Sequence, residues 1–136
     1  MSFYVLMDTN FLLLPETLGI DVFNEIKETA LDNYEFIILQ SVYDELNKLC
    51  ADDSQSKKHR DAAKLGLEII KQKNLKIEHC SNEHTDDALL KKALELKKQG
   101  NSIAIATQDK ELISRARKLG IQVFALRQKK KILLLK

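Results

Sequence analysis

Short apolar runs alternate along the chain with longer stretches of helical spacing, and that alternation most restricts the folds open to it. Phe3-Tyr4-Val5-Leu6-Met7, Phe36-Ile37-Ile38-Leu39, Ser102-Ile103-Ala104-Ile105-Ala106-Thr107 and Ile121-Gln122-Val123-Phe124-Ala125-Leu126 are too short for helices and rich in strand formers, so they predict buried strands. Leu75-Lys76-Ile77-Glu78 alternates, predicting a short strand with one exposed face. Pro15 and Gly19 punctuate a loop after the first strand, and Asp21 is an N-cap candidate for a helix over about 22–31 with Phe23, Ile26 and Ala30 as its stripe. Ser41-Val42-Tyr43-Asp44 matches a capping pattern for the next helix, and the polar 51–60 stretch marks a surface connection or the frayed start of the following helix, a candidate mobile segment. Ala62, Leu65 and Ile69 carry a helix to about Lys73. Leu89, Leu90 and Ala93 carry one from near Thr85 to Gly100, and Leu112, Ile113 and Ala116 one that ends at Gly120. The alternation implies βαβ units and an α/β fold, a parallel sheet with helices on both faces. The closing Lys131–Lys136 segment reads as an edge strand or a partner-binding segment.

The first strand runs directly into Asp8, a carboxylate in the middle of apolar sequence, where an unpaired charge is costly. In an open α/β sheet the C-terminal ends of the strands face the crevice that binds ligands. The other acids follow the same pattern: Glu45 lies one turn into the helix after the second strand, Asp86 and Asp87 open the helix after the third, and Asp109 follows the fourth. Singly, Asp86 and Asp87 suit the positive end of a helix dipole and Asp109 suits an N-cap. Together they gather like charge at one edge, which calls for a neutralising cation. Mg²⁺ and Mn²⁺ prefer oxygen ligands, and Mg²⁺ combines one or two carboxylates with waters and substrate phosphates. The chemistry implied is phosphodiester hydrolysis.

Composition removes other classes. Cys50 and Cys80 lack metal-ligand spacing, and His59, His79 and His84 form no His-x-x-x-His or Cys-His cluster, which argues against zinc and thiol chemistry. No long apolar run suits a membrane span and the N-terminus has no leader pattern, so a soluble cytoplasmic protein with no membrane partner is expected. At 136 residues and 44% hydrophobic, a single domain over 1–136 is expected, with a basic tail from about 127 to 136. The net charge of +2 conceals an asymmetry: residues 1–111 carry all 20 acids and 14 Lys or Arg, a balance of −6, whereas 112–136 carry 8 basic residues and no acid. Arg115, Arg117, Lys118, Arg127, Lys129, Lys130 and Lys131 are therefore candidates for RNA phosphate contacts, against the alternative of a solvated face that suppresses aggregation.

Four short stretches, in this order, resemble the motifs of the PIN-domain ribonucleases: Val5-Leu6-Met7-Asp8-Thr9-Asn10, Val42-Tyr43-Asp44-Glu45-Leu46, Thr85-Asp86-Asp87-Ala88-Leu89-Leu90 and Ile105-Ala106-Thr107-Gln108-Asp109-Lys110-Glu111-Leu112. The resemblance implies a three-layer α/β/α sandwich with a central parallel sheet, and a Mg²⁺- or Mn²⁺-dependent endoribonuclease acting on single-stranded RNA. Carried over by position, Asp8, Glu45, Asp87 and Asp109 are the metal-binding catalytic acids, with Asn10 and Thr107 supporting them. The family acid of the third motif usually precedes a small residue and two aliphatics, which favours Asp87 over Asp86. Two branches are implied: toxins of toxin-antitoxin pairs, whose partner is an antitoxin, and proteins that process ribosomal RNA precursors beside ribosome-assembly partners. The ending Phe124-Ala125-Leu126-Arg127-Gln128-Lys129-Lys130-Lys131 is more similar to archaeal relatives of the second branch. A homodimer through apolar helix faces is compatible with either.

Two further readings are open. A catalytically silent RNA-binding scaffold would keep the fold and the tail, although retention of all four acids speaks against it. A phosphatase or a phospho-acceptor receiver would use a similar sheet, but Asp8-Thr9-Asn10 lacks the second acid of an Asp-x-Asp nucleophile and no acidic pair accompanies Asp8. With aromatic residues at 6%, recognition is expected to rest on phosphate contacts and RNA shape rather than base stacking.

Overall fold

The computed structural model describes residues 2–29, 33–80, 84–127 and 131–135. The chain order is β1 (Phe3–Met7), α1 (Thr9–Leu12), α2 (Leu14–Thr17), α3 (Val22–Thr29), β2 (Glu35–Leu39), α4 (Gln40–Ala51), α5 (Lys57–Gln72), β3 (Lys76–Glu78), α6 (Thr85–Lys98), β4 (Ser102–Ala106), α7 (Lys110–Lys118), β5 (Gln122–Arg127) and β6 (Lys131–Leu135). The strands form one sheet in the order β3-β2-β1-β4-β5-β6. β1 to β5 are parallel. Val5, Leu6 and Met7 are fully buried, as expected of a central parallel strand covered on both faces.

The chain moves outward from β1 to β2 and β3, then returns to the other side of β1 to build β4 and β5. Right-handed crossovers in opposite directions place α3, α4 and α5 on one face and α6 and α7 on the other. The C-terminal ends of β1 and β4 therefore flank the switch point of the sheet, the place where ligands bind in such folds.

Several expectations are corrected. The sheet is mixed, because β6 pairs antiparallel with β5 from Arg127↔Lys131 to Val123↔Leu135. So short a reversal permits only antiparallel pairing, since a parallel return needs a crossover of a dozen or more residues. Of the two readings of the closing segment, the edge strand is observed: Ile132 is buried and Leu133 is 43% exposed. The loop expected at Pro15 and Gly19 contains two short helices, α1 opening beside the Asp8 side chain and α2 holding Pro15 in its first turn, where proline is tolerated. Gly19, at φ +65, turns the chain after α2 in a conformation other residues resist.

The capping role expected of Ser41 is not formed. β2 runs straight into α4, which starts at Gln40 with Leu39 at the cap position, two residues before the expected cap, and no side-chain cap bond. Asp44 instead accepts from Gln40 Nε2 at 2.9 Å. The polar stretch after α4 is a turn in which Ser54 donates to Asp52 from both its backbone N and its Oγ, and α5 then starts behind the Ser56 cap. The stripe residue Ala30 lies outside the described residues, and strand and helix limits elsewhere differ from expectation by a residue or two.

Gly66 packs α5 against α1 so closely that a Cβ there would sit 3.2 Å from the Leu12 carbonyl oxygen and 3.7 Å from Leu46 Cδ2. Gly66→Val is expected to destabilise the protein by about 1 to 3 kcal/mol through overpacking. The urea midpoint measures this, and an unchanged midpoint would show that α1 yields freely.

Candidate active site

Asp8 leaves β1 in extended conformation and is 5% exposed. The Thr9 backbone N–H donates to Asp8 Oδ1 at 2.7 Å, and Thr107 Oγ1 donates to Oδ2 at 2.7 Å. Thr107 follows β4, so this hydroxyl crosses the switch point between the two strands. Burial pushes the Asp8 carboxyl up to about 6; the bonds from Thr107 and Thr9 oppose the rise, and the charges of Asp86 and Glu45 add to it.

Glu45 is drawn inward by two hydroxyls. Thr9 Oγ1 donates to its Oε2 at 3.0 Å, and Thr85 Oγ1 donates to its Oε1. One carboxylate thus joins the first turn of α1 to the first turn of α6. Asp109 caps α7, its Oδ1 accepting from the N–H groups of Glu111 at 2.8 Å and Leu112 at 3.1 Å. The Asp109 N–H donates in turn to Thr107 Oγ1 at 3.1 Å, so one threonine hydroxyl touches both Asp8 and the Asp109 backbone.

Of the acids that open α6, Asp86 faces this group. Its carboxyl is pushed up first by burial, then by the charge of Asp109, with Glu45 adding to the rise and His84 and Arg115 opposing it. Asp87 points elsewhere, accepting from Arg115 at 2.7 Å with both side chains well exposed. The structure therefore brings Asp86 into electrostatic reach of Asp8, Glu45 and Asp109 and leaves Asp87 on the flank with Arg115, whereas motif position favours Asp87. Asp86, Leu89, Leu90 and Ala93 share the i, i+3, i+4, i+7 stripe that faces the core, and this spacing was readable before folding.

Asn10 is exposed and lines a cleft with Thr9, Glu45 and Lys48. Thr9 and Thr85 were not singled out from sequence. The signal available was a hydroxyl next to a site acid in Asp8-Thr9 and in Thr85-Asp86. Among the basic candidates, Arg115 is engaged by Asp87. Arg117, Lys118 and Arg127 line one groove. Lys131 faces Arg127 across the β5–β6 pair, and Lys129 and Lys130 lie outside the described residues.

Among the described residues no three His, Cys, Asp or Glu stand close enough to enclose a cation on their own. The oxygen-only donors and the upward shifts of Asp8 and Asp86 nonetheless fit a hard divalent cation, because Mg²⁺ takes one or two carboxylates and completes its shell with water and phosphate. No described helix is long and apolar enough to cross a membrane.

The Asp8 shift has a consequence for stability. The folded protein holds this proton more tightly than the unfolded chain does, so without metal it loses stability as pH rises between 3.8 and about 6. The loss is on the order of 3 kcal/mol. Asp8→Asn is expected to abolish that dependence, since its amide can still accept from the Thr9 N–H and donate to Thr107 Oγ1. Urea unfolding in EDTA should find the variant more stable than wild type at pH 7 and equal to it at pH 4. A loss at both values would make the carboxylate a structural necessity.

Residues 5–129 match the family described as PIN like domain. Ribonuclease VapC4 of Methanocaldococcus jannaschii is 30% identical over 126 residues, which span 93% of this chain and 92% of that protein. The solved PIN domain endonuclease Utp24 is similar at a TM-score of 0.74 and 26% identity, covering 96% of this chain and 90% of that one. VapBC2 from Rickettsia felis, solved bound to a DNA fragment from their promoter, shares the fold at a TM-score of 0.53 and 16% identity, over 91% of this chain and 99% of that one. With its switch-point acids and a family match along nearly its whole length, the chain belongs to the PIN like domain family.

Proposed function

We propose that this protein is a divalent-metal-dependent endoribonuclease that hydrolyses phosphodiester bonds of single-stranded RNA. The observation that carries the reading is the placement of Asp8, Glu45, Asp86 and Asp109 at one sheet edge, where burial and, after it, the charge of neighbouring acids push Asp8 and Asp86 upward. The names of the similar Ribonuclease VapC4 and endonuclease Utp24 support the same class.

In this reading one or two of Asp8, Asp86 and Asp109 would ligate Mg²⁺ or Mn²⁺ directly, the remaining acids acting through water in its shell, and Glu45 would be either a further ligand or the base that orients water. The chemistry such a cation would supply there is polarisation of the scissile phosphate and a lowered pKa for its bound water. Thr107 fixes Asp8 through Oδ2, and through its contact with the Asp109 N–H keeps the β4–α7 turn in register with Asp8. Thr9 and Thr85 fix both oxygens of Glu45, so its orientation needs no rearrangement as charge develops. Asn10 stands at the rim of the cleft beside Glu45, and Asp87 holds Arg115 at the margin. The similarity to Ribonuclease VapC4 favours a toxin with an antitoxin partner as the biological setting, and the ending Phe124–Lys131 favours ribosomal RNA processing.

The test is cleavage of mixed-sequence single-stranded RNA in Mn²⁺, Mg²⁺ or EDTA. Wild type is expected to cut only with metal. Asp8→Asn and Asp86→Asn should each lose about a hundredfold in rate, close to 3 kcal/mol of barrier. Asp87→Asn should stay within about tenfold of wild type. A larger loss in Asp87→Asn than in Asp86→Asn would return the role to Asp87. RNA binding with no metal-dependent cleavage would make the protein a scaffold.

A further inference from the structure

Outside the acid edge, α7 carries a second concentration of charge. Lys110, Ser114, Arg117 and Lys118 fall at i, i+4, i+7 and i+8 on one helix face, and with Ile113 and with Arg127 from the end of β5 they line a groove of about 560 Å³. Among the described residues no carboxylate lines it. Basic residues in the last turn of a helix answer its dipole, which accounts for Arg117 and Lys118. The dipole cannot account for Lys110. That residue opens the helix, where positive charge is unfavourable, and Arg127 belongs to a different element.

The position of the groove says what it holds. Lys110 directly follows Asp109, and the parallel β5 brings Arg127 to the same edge as the acids, so the groove opens beside the carboxylate cluster and runs along α7. From Lys110 to Lys118 it extends about 12 Å at 1.5 Å per residue, longer than one phosphate group. We infer that this groove binds successive phosphates of the RNA strand on one side of the bond to be cut. The inference rests on the nuclease reading for the identity of the strand. A polyanion whose phosphodiester lies at the acid edge must send its neighbouring phosphates somewhere, and this groove offers them the cations of Lys110, Lys118 and Arg127 and a serine hydroxyl. Arg115 is excluded from the track because Asp87 holds it.

The experiment is fluorescence anisotropy of a short labelled single-stranded RNA in EDTA, titrated at several salt concentrations. The double variant Lys118→Gln/Arg127→Gln is compared with Lys64→Gln/Lys71→Gln, an equal charge change on α5, across the sheet from α7. Losing two phosphate contacts should lower the slope of log affinity against log salt by about 1.4 and weaken binding several-fold at fixed salt. The α5 variant should match wild type, and Lys118→Arg/Arg127→Lys should restore the slope. With metal added, KM for RNA should rise in the groove variant while kcat is kept. A wild-type slope in the groove variant, or an equal fall in the α5 variant, would overturn the assignment. So would polyglutamate that competes as well as polyuridylate and loses affinity in the same variant, since that would mark an acidic protein surface. Absence of cleavage would count against the nuclease reading alone, because the binding measurements are made without metal.

Discussion

The hydrogen bond from Thr107 to Asp8 ties together what the sheet topology only brings near. β1 and β4 are neighbours whose pairing continues to the Asp8 N–H, which donates to the Ala106 carbonyl at 2.9 Å, but backbone pairing alone does not fix the Asp8 side chain. A bond of 2.7 Å across the switch point does so, and the same hydroxyl receives the N–H of Asp109. Asp8, Thr107 and the start of α7 thereby form one rigid unit. The buried carboxylate makes this unit energetically unfavourable when charged, and the apolar neighbours that impose the burial, Val5, Leu6, Met7 and Phe11, are the ones that hold it in place.

The main lines of this arrangement were legible in the residues. Strands buried on both faces are continuous apolar runs, and each is interrupted where the chain must turn, so β1, β2, β4 and β5 could be placed closely. Once they were placed, the acids that follow them fell at one edge without further assumption. The antiparallel β6 was harder: its period is obscured because Leu133, Leu134 and Leu135 are all apolar while only Ile132 is buried. Pattern alone does not state which way such a segment runs.

The site was legible in outline and not in detail, for a geometric reason. Adjacent residues on a helix point about 100° apart, so Asp86 and Asp87 have different surroundings: Asp86 lies three and four positions before the buried Leu89 and Leu90 and faces the other acids, while Asp87, the one that motif position favours, meets Arg115. Thr9 and Thr85 were less accessible. A hydroxyl has no periodic signature, and its partner Glu45 lies 36 residues from one and 40 from the other. The pairing of Arg115 with Asp87, 28 residues away, likewise had no signature in the basic pattern of the tail.

Structural and functional readings of these acids also prove compatible rather than exclusive. Asp8 accepts the first N–H of α1 and Asp109 accepts two from α7, so both serve helix starts, as the bland interpretation requires. In each case the bond to the helix goes to Oδ1. Capping fixes the torsion of the whole carboxylate, and the second oxygen is then aimed by the same constraint. For Asp8 that second oxygen is the one Thr107 meets. A residue that caps a helix is therefore a favourable place to mount a site acid, because the helix holds the carboxylate rigid and the crevice receives an oxygen already oriented. Glu45, too long to cap anything from its position within α4, needs two threonines to achieve the same order.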